Sequence, residues 1–148
     1  MSKREDAQAY FKSGFNCAQS VVMAYHDLTG LTEEESAKLA SSFGGGLGRM
    51  REVCGAVSGM AIVAGMLRGY SDPKVPGAVQ GHYALVQELA GKFRDRNGSI
   101  VWRELLGDGS PIRTAPEPRT AEYYKKRPCV ELVGDAAEIL EEFLSPKE

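Results

Sequence analysis

Apolar residues recur at intervals of three and four along almost the whole chain, and no run alternates with the two-residue period of a half-buried strand. That spacing predicts an all-α fold, a single compact multi-helix domain over residues 1–148 with seven or eight helices and no internal repeat. A first helix is predicted over residues 3–13, with Ala7, Tyr10 and Phe11 on one face and Gly14 as its stop. Asn16 is a good N-cap for a second, which carries Val21, Val22, Met23 and Tyr25 toward Gly30 and makes Cys17 its first residue. Thr32 and Glu35 stand at capping-box spacing before a third helix that runs through Leu39 to Phe43, where Gly44 to Gly48 break it.

The central helix is predicted from Arg49 or Arg51 to Arg68 and contains the longest mostly apolar run, residues 53–67. Glycine inside a helix costs about 1 kcal/mol against alanine. Gly55 and Gly59, with Ala56, therefore point to a neighbouring helix or bound group that needs the room, and the helix is expected to be buried. Ser71-Asp72-Pro73 turns the chain into a helix over 77–96 with Val79, Tyr83, Val86, Ala90 and Phe93 inward, ended by Asn97-Gly98. A short helix over 99–106 follows, then a Gly- and Pro-rich extended loop over 107–118 placed to cover a site. A helix over 118–126 has an acidic start and a basic end, as the helix dipole prefers. The last helix, from Pro128, turns Val130, Val133, Ala137, Leu140 and Leu144 inward and Glu131, Asp135, Glu138 and Glu142 to water.

Composition narrows the function classes. The 148 residues are 43% hydrophobic and 26% charged, enough for one domain to bury roughly 68–70% of its unfolded surface. Lys and Arg number 18 against 20 Asp and Glu, a net charge of −2. No basic excess exists to neutralise a phosphate backbone, so nucleic acid is not an expected partner. The charged start Met-Ser-Lys-Arg-Glu-Asp does not read as a signal peptide, and the apolar run is shorter than the roughly 20 residues a bilayer span needs. A cytoplasmic location without a membrane partner is the expectation. The redox partner and self-association are left open.

Three cysteines, Cys17, Cys54 and Cys129, carry the candidate chemistry. The odd count and the absence of a Cys-x-x-Cys pair argue against a disulfide framework, a zinc finger or a thioredoxin-type motif. Each falls near a predicted helix start, where unpaired N–H groups and about half a positive charge favour a thiolate. The competing reading is three buried cysteines acting as small apolar residues. Gly45, Gly46 and Arg49, with Arg51 nearby, form a candidate anion- or cofactor-binding loop. No strand precedes that loop and neither nucleotide fingerprint is matched, so a tight interhelical turn is the plainer alternative. His26 and His82 lack a second histidine at ligand spacing, and His82, beside Tyr83, is the candidate for an additional metal ligand. Val57-Ser58-Gly59 is not a nucleophile elbow.

At Phe15-Asn16-Cys17-Ala18, Phe43-Gly44-Gly45-Gly46-Leu47-Gly48-Arg49, Val53-Cys54-Gly55-Ala56-Val57-Ser58-Gly59, Arg103-Glu104-Leu105-Leu106-Gly107 and the segment from Cys129 through Asp135-Ala136-Ala137-Glu138, the chain resembles the C_GCAxxG_C_C family. The resemblance spans nearly the whole chain. It implies a small helical protein with four cysteines, redox-active or metal-binding, and brings no substrate. Where the family's third cysteine is expected, just before Arg103, stands Trp102, whose indole cannot ligate a metal. Three readings follow. Cys54 pairs with Cys17 or Cys129 in dithiol/disulfide electron transfer, with no cofactor required; or Cys17, Cys54 and Cys129 hold a metal ion or iron–sulfur cluster, completed by His82, water or a small molecule; or a noncatalytic scaffold keeps the fold of a decayed site. The thiol redox reading leads.

Overall fold

Three helix starts are fixed by side chains that reach back to the backbone. Ser2 with Glu5, Asn16 with Gln19, and Thr32 with Glu35 each close a reciprocal capping box, satisfying two orphan N–H groups apiece. They open α1 (Lys3–Lys12), α2 (Cys17–Ala24) and α4 (Glu33–Ala40), with the short α3 (His26–Thr29) between the last two and a 3-10 turn at Ser41–Phe43. The rest of the chain forms α5 (Gly55–Arg68), α6 (Ala78–Asn97), α7 (Trp102–Leu106), α8 (Ala121–Lys126) and α9 (Cys129–Leu144). This computed structural model describes residues 2–107 and 114–145. Among them are nine α-helices and no strand, only an isolated antiparallel bridge between Val53 and Val101.

The architecture is all-α as predicted, with differences that have local causes. The helix expected from Asn16 to Gly30 is cut at Tyr25, whose φ of −105° and ψ of 10° leave the helical region; its buried hydroxyl donates to the Ala137 carbonyl at 2.8 Å. The central helix starts at Gly55, not at Arg49 or Arg51. Leu47, Arg49 and Arg51 all have left-handed φ angles of 62° to 69°, which no right-handed helix accommodates. Residues 52–54 instead run beside Val101, with Cys54 N–H donating to Ile100 and Trp102 N–H to Glu52, both at 2.7 Å. The helix from 77 buries Leu89, Ala90 and Phe93, whereas Tyr83, predicted inward, is 56% exposed. α6 meets α5 and α9 through its C-terminal half, so the stripe expected along its full length is buried only there.

α2 is the hub, packed against α1, α4, α5 and α9 with every residue but Gln19 buried. Phe11, Tyr25, Met60, Phe93, Leu132 and Ile139 fill the core around it. The small residues of α5 do what their spacing implied. A Cβ on Gly59 would lie 2.9 Å from the Ala18 carbonyl oxygen and 3.0 Å from Val21 Cβ, and one on Gly55 would lie 2.9 Å from the Phe43 oxygen and 3.2 Å from Cys17 Cβ. Glycine lets the start of α5 sit directly on the start of α2. Gly59→Ala is therefore expected to lower stability by about 1–3 kcal/mol despite alanine's better helix propensity, because backbone atoms must move apart. Chemical denaturation checks it; an equally or more stable variant would show that the helices part freely.

The carboxylates of α9 do not simply face water. Arg4 of α1 reaches Glu131 at 2.7 Å and Asp135 at 2.8 Å, and Arg96 of α6 reaches Glu138 at 2.9 Å and Glu142 at 3.3 Å. The polar face of α9 thus binds the helices on either side. No helix among the described residues is long and apolar enough to cross a membrane.

Candidate functional site

The fold brings the three cysteines to one buried corner. Cys17 is the first residue of α2, Cys129 the first of α9, and Cys54 the residue before α5. All three are free and buried. Cys17 and Cys129 lie close enough for each to shift the acidity of the other, while Cys129 raises Cys54 and Cys54 raises Cys17. Contributing to that approach are the Asn16 capping box, which sets Cys17, and Gly55, whose missing Cβ admits Cys17. Residues 52–54 are held by the Val101 bridge.

Helix starts were expected to favour the thiolate at all three positions, and the structure corrects this. Only Cys129 has a lowered pKa, held down first by the hydrogen bond from Cys17, then by one from the Tyr123 hydroxyl and by the positive charges of Arg127 and Arg119, all against the opposing effect of burial. Its Sγ lies 3.9 Å from the Tyr123 oxygen. Cys17, as the donor of that bond, is raised well above the ordinary thiol value, and burial adds to the effect. Burial pushes Cys54 up to about 12, with the amides of Ala56 and Val57 opposing it without closing a side-chain cap. Desolvation outweighs a helix end wherever no cation stands opposite the sulfur. The corner therefore holds one thiolate-prone sulfur, one donor thiol and one deeply protonated thiol.

Cys17 and Cys129 line a cavity of about 350 Å³, closed by Arg119, Arg127, Tyr123 and Trp102, while Cys54 lies behind its wall. Of the Gly- and Pro-rich segment expected to cover a site, Thr114, Pro116 and Glu117 line this cavity, and residues 108–113 lie outside the described residues. Arg119 fastens the cover by donating to the Phe11 carbonyl, and to the Phe15 carbonyl at 2.7 Å, with its guanidinium 4.1 Å from the Phe11 ring centroid. A cation there also meets the C-terminal end of the α1 dipole.

A family model described as "Putative redox-active protein (C_GCAxxG_C_C)" matches residues 15–143. The chain belongs to the C_GCAxxG_C_C family. No curated protein and no solved structure matches it.

Trp102, at the position where the resemblance implied the third of four cysteines, has a comparable place in the fold. Trp102 is the first residue of α7, as Cys17 and Cys129 are of theirs, and lines the same cavity. Among the described residues, no group of three or more His, Cys, Asp and Glu side chains is arranged to hold a metal ion. His82 stands on α6 against the Tyr70 ring, 6.0 Å between centroids, away from the cavity lining. The residues present do not fit the metal set Cys17, Cys54, Cys129 and His82.

The glycine loop contributes differently from a phosphate cradle. N–H groups of Gly48, Arg49, Arg51 and Glu52 donate back to carbonyls of residues 42–46, making a self-paired interhelical turn. Gly45 lines the cavity, whereas Gly46 packs on the Arg51 and Glu52 backbone. Arg49, held at a φ of 65°, is the side chain the loop presents there. Sequence reading missed Arg119, Tyr123 and Arg127 as site residues. Tyr123 lies on α8 and the two arginines flank that helix on either side, just ahead of Cys129.

Proposed function

We propose that this protein is a thiol redox protein in which Cys129 and Cys17 cycle between dithiol and disulfide. The observation that carries the reading is that these two cysteines, each the first residue of its helix, line one cavity together with the cations Arg119 and Arg127. A thiolate is the attacking species in disulfide exchange, and a neighbouring thiol that has given up its proton resolves the intermediate. Cys129 attacks one sulfur of a disulfide oxidant, forming a mixed disulfide and expelling the first thiolate, which takes the Cys17 proton. Cys17 then attacks Cys129 Sγ, closes the intramolecular disulfide and expels the second thiolate. Two electrons have passed to the oxidant, and a dithiol reductant returns the pair to its starting state. Cys54, behind the cavity wall, keeps its proton throughout and packs α5 against the pair.

The pairing expected from sequence placed Cys54 in the reactive couple; the hydrogen bond and cavity access favour Cys17 with Cys129 instead. Gentle oxidation of the anaerobic, reduced protein is expected to lower the thiol count of the denatured chain from three to one. Peptide mapping is expected to find residues 17 and 129 linked within a single chain. Three persisting thiols, or a link through Cys54, would overturn the proposal.

A further inference from the structure

The cavity wall opposite the cysteines carries an arrangement that the redox reading does not use. Glu117 Oε1 is shared by two guanidinium groups: it lies 3.7 Å from Arg49 Nη2 and forms a close ion pair with Arg127 Nη2. The three residues come from the glycine loop, the covering segment and the turn before α9, and all line the cavity. With Arg119 they make the described lining cationic, three arginines against one carboxylate. Arg127 is 11% exposed at its side chain, while Glu117 is 40% exposed. The cations are therefore the less exposed partners, and the carboxylate is the more accessible one. Glu117 stands between Pro116 and Pro118, which restrict its backbone, so its carboxylate leaves by side-chain rotation rather than by unfolding the cover.

Arg127 ties this pair of cations to the chemistry. Its guanidinium lies 5.8 Å from the Tyr123 ring centroid, and the Tyr123 hydroxyl faces Cys129. A ligand anion seated on Arg49 and Arg127 would thus hold the rest of its molecule beside the reactive sulfur, between the aromatic walls of Phe11, Trp102 and Tyr123. A volume of about 350 Å³ suits a small molecule rather than a protein segment.

Resting on the dithiol reading, we propose that the oxidant is a low-molecular-weight disulfide bearing a carboxylate, which takes the place of Glu117 between Arg49 and Arg127. The internal carboxylate marks the position and charge of the group to be bound, since guanidinium groups recognise carboxylates by charge-assisted hydrogen bonds. The exchange conserves the ion pairs and frees Glu117 to solvent. Electron flow is as above, with both halves of the disulfide leaving as thiols.

Two chromogenic disulfides test this on the reduced, full-length protein: dithiobis(nitrobenzoate), which carries carboxylates, and dithiodipyridine, which has none. Both report the same thiolate, so the ratio of their rate constants isolates carboxylate recognition from thiol reactivity. Arg49→Gln is expected to lower the ratio about fivefold and Glu117→Gln to raise it by a similar factor, as expected for losing one partly exposed ion pair. Asp95→Asn, an equal charge change on α6 outside the cavity, is expected to leave the ratio unchanged. An unaltered ratio in Glu117→Gln, or the same rise in Asp95→Asn, would overturn the proposal; Glu117→Gln alone decides it if Arg49→Gln does not fold. The number of thiols released per chain separates the two readings. Two show the pair closing. One shows that the dithiol cycle fails, whatever the ratio says of carboxylate selection.

Discussion

Cys129→Ser is expected to slow reaction with a disulfide probe at pH 7 by one to two orders of magnitude, whereas Cys17→Ser is expected to leave the first attack within a few-fold and abolish the second. The asymmetry comes from the directed hydrogen bond. Cys129 receives it and has Arg127 and Arg119 nearby, so its pKa is lowered from the ordinary thiol value. Once Cys129 is gone, the remaining sulfurs are Cys17, which burial still raises, and Cys54, pushed up to about 12 behind the cavity wall. Each unit of pKa removes a factor of ten in thiolate, partly offset by greater nucleophilicity, leaving about three-fold in rate per unit. The smaller thiolate fraction of the remaining sulfurs and the loss of the adjacent cations set the expected range. A serine at 17 still donates a hydrogen bond to Cys129 but cannot form a disulfide. The variant therefore stops as a mixed disulfide at Cys129, releases one thiol instead of two, and gains the mass of half the probe. Stopped-flow rates and intact mass read both effects. A Cys129→Ser variant as fast as the parent would move the nucleophile elsewhere.

The helices were legible because their signals are local. Thr32 with Glu35, Asn16 before Cys17, and Pro128 before Cys129 are settled within four residues of chain, and each helix starts where those residues place it. The start of α5 was not legible, because it depends on an unusual backbone. Three non-glycine residues in the left-handed region carry residues 47–51 past the expected helix start, each at a cost of about 1–2 kcal/mol that only the assembled fold can hold. A single bridged pair, Val53 with Val101, is too short to appear as alternation. Burial along α6 and the ion pairs of α9 likewise depend on which helices lie alongside, and neither Arg4 nor Arg96 announces its partner in sequence.

At the site, the identity of the cysteines and their helix-start positions could be read from the chain, but their differing acidities could not. A helix terminus acts the same way on Cys17 as on Cys129. What separates them is three-dimensional: the direction of one thiol hydrogen bond, and the delivery of Arg119, Tyr123 and Arg127 to Cys129 rather than to Cys54. The same applies to Trp102. Sequence marks it as the odd residue at an expected cysteine, and only the fold shows that it opens a helix and seals the cavity shared by the reactive pair.

Alkaline solution is expected to unfold the reduced protein far more readily than neutral solution. The hydrogen bond to Cys129 and burial keep Cys17 protonated, and burial keeps Cys54 protonated to about 12, whereas unfolded thiols ionise near 8.5. Above that value the unfolded chain sheds two protons that the folded chain retains, so stability falls with pH by about 1.4 kcal/mol per unit for each. Their stabilising effect is complete below the unfolded pKa and is lost as pH rises toward the folded values. Cys129 runs the other way: its lowered pKa adds stability above the unfolded value, and that contribution is lost as pH falls through the folded one, so it adds no slope past pH 9. Tyr25 and Tyr123, raised chiefly by burial, join the decline above about 10. Between pH 9 and 11 the loss is expected to reach about 3–5 kcal/mol, a large part of the 5–15 kcal/mol typical of a domain. Urea titrations at successive pH values, under reductant and without oxygen, measure the slope. Cys54→Ala should reduce it by one proton while shifting the whole curve by its packing cost, so slope and offset separate acidity from volume. A free energy of unfolding that stays level from pH 8.5 to 10.5 would mean that Cys17 and Cys54 ionise as readily in the folded protein as out of it, and the buried, unequal thiol corner would lose its physical basis.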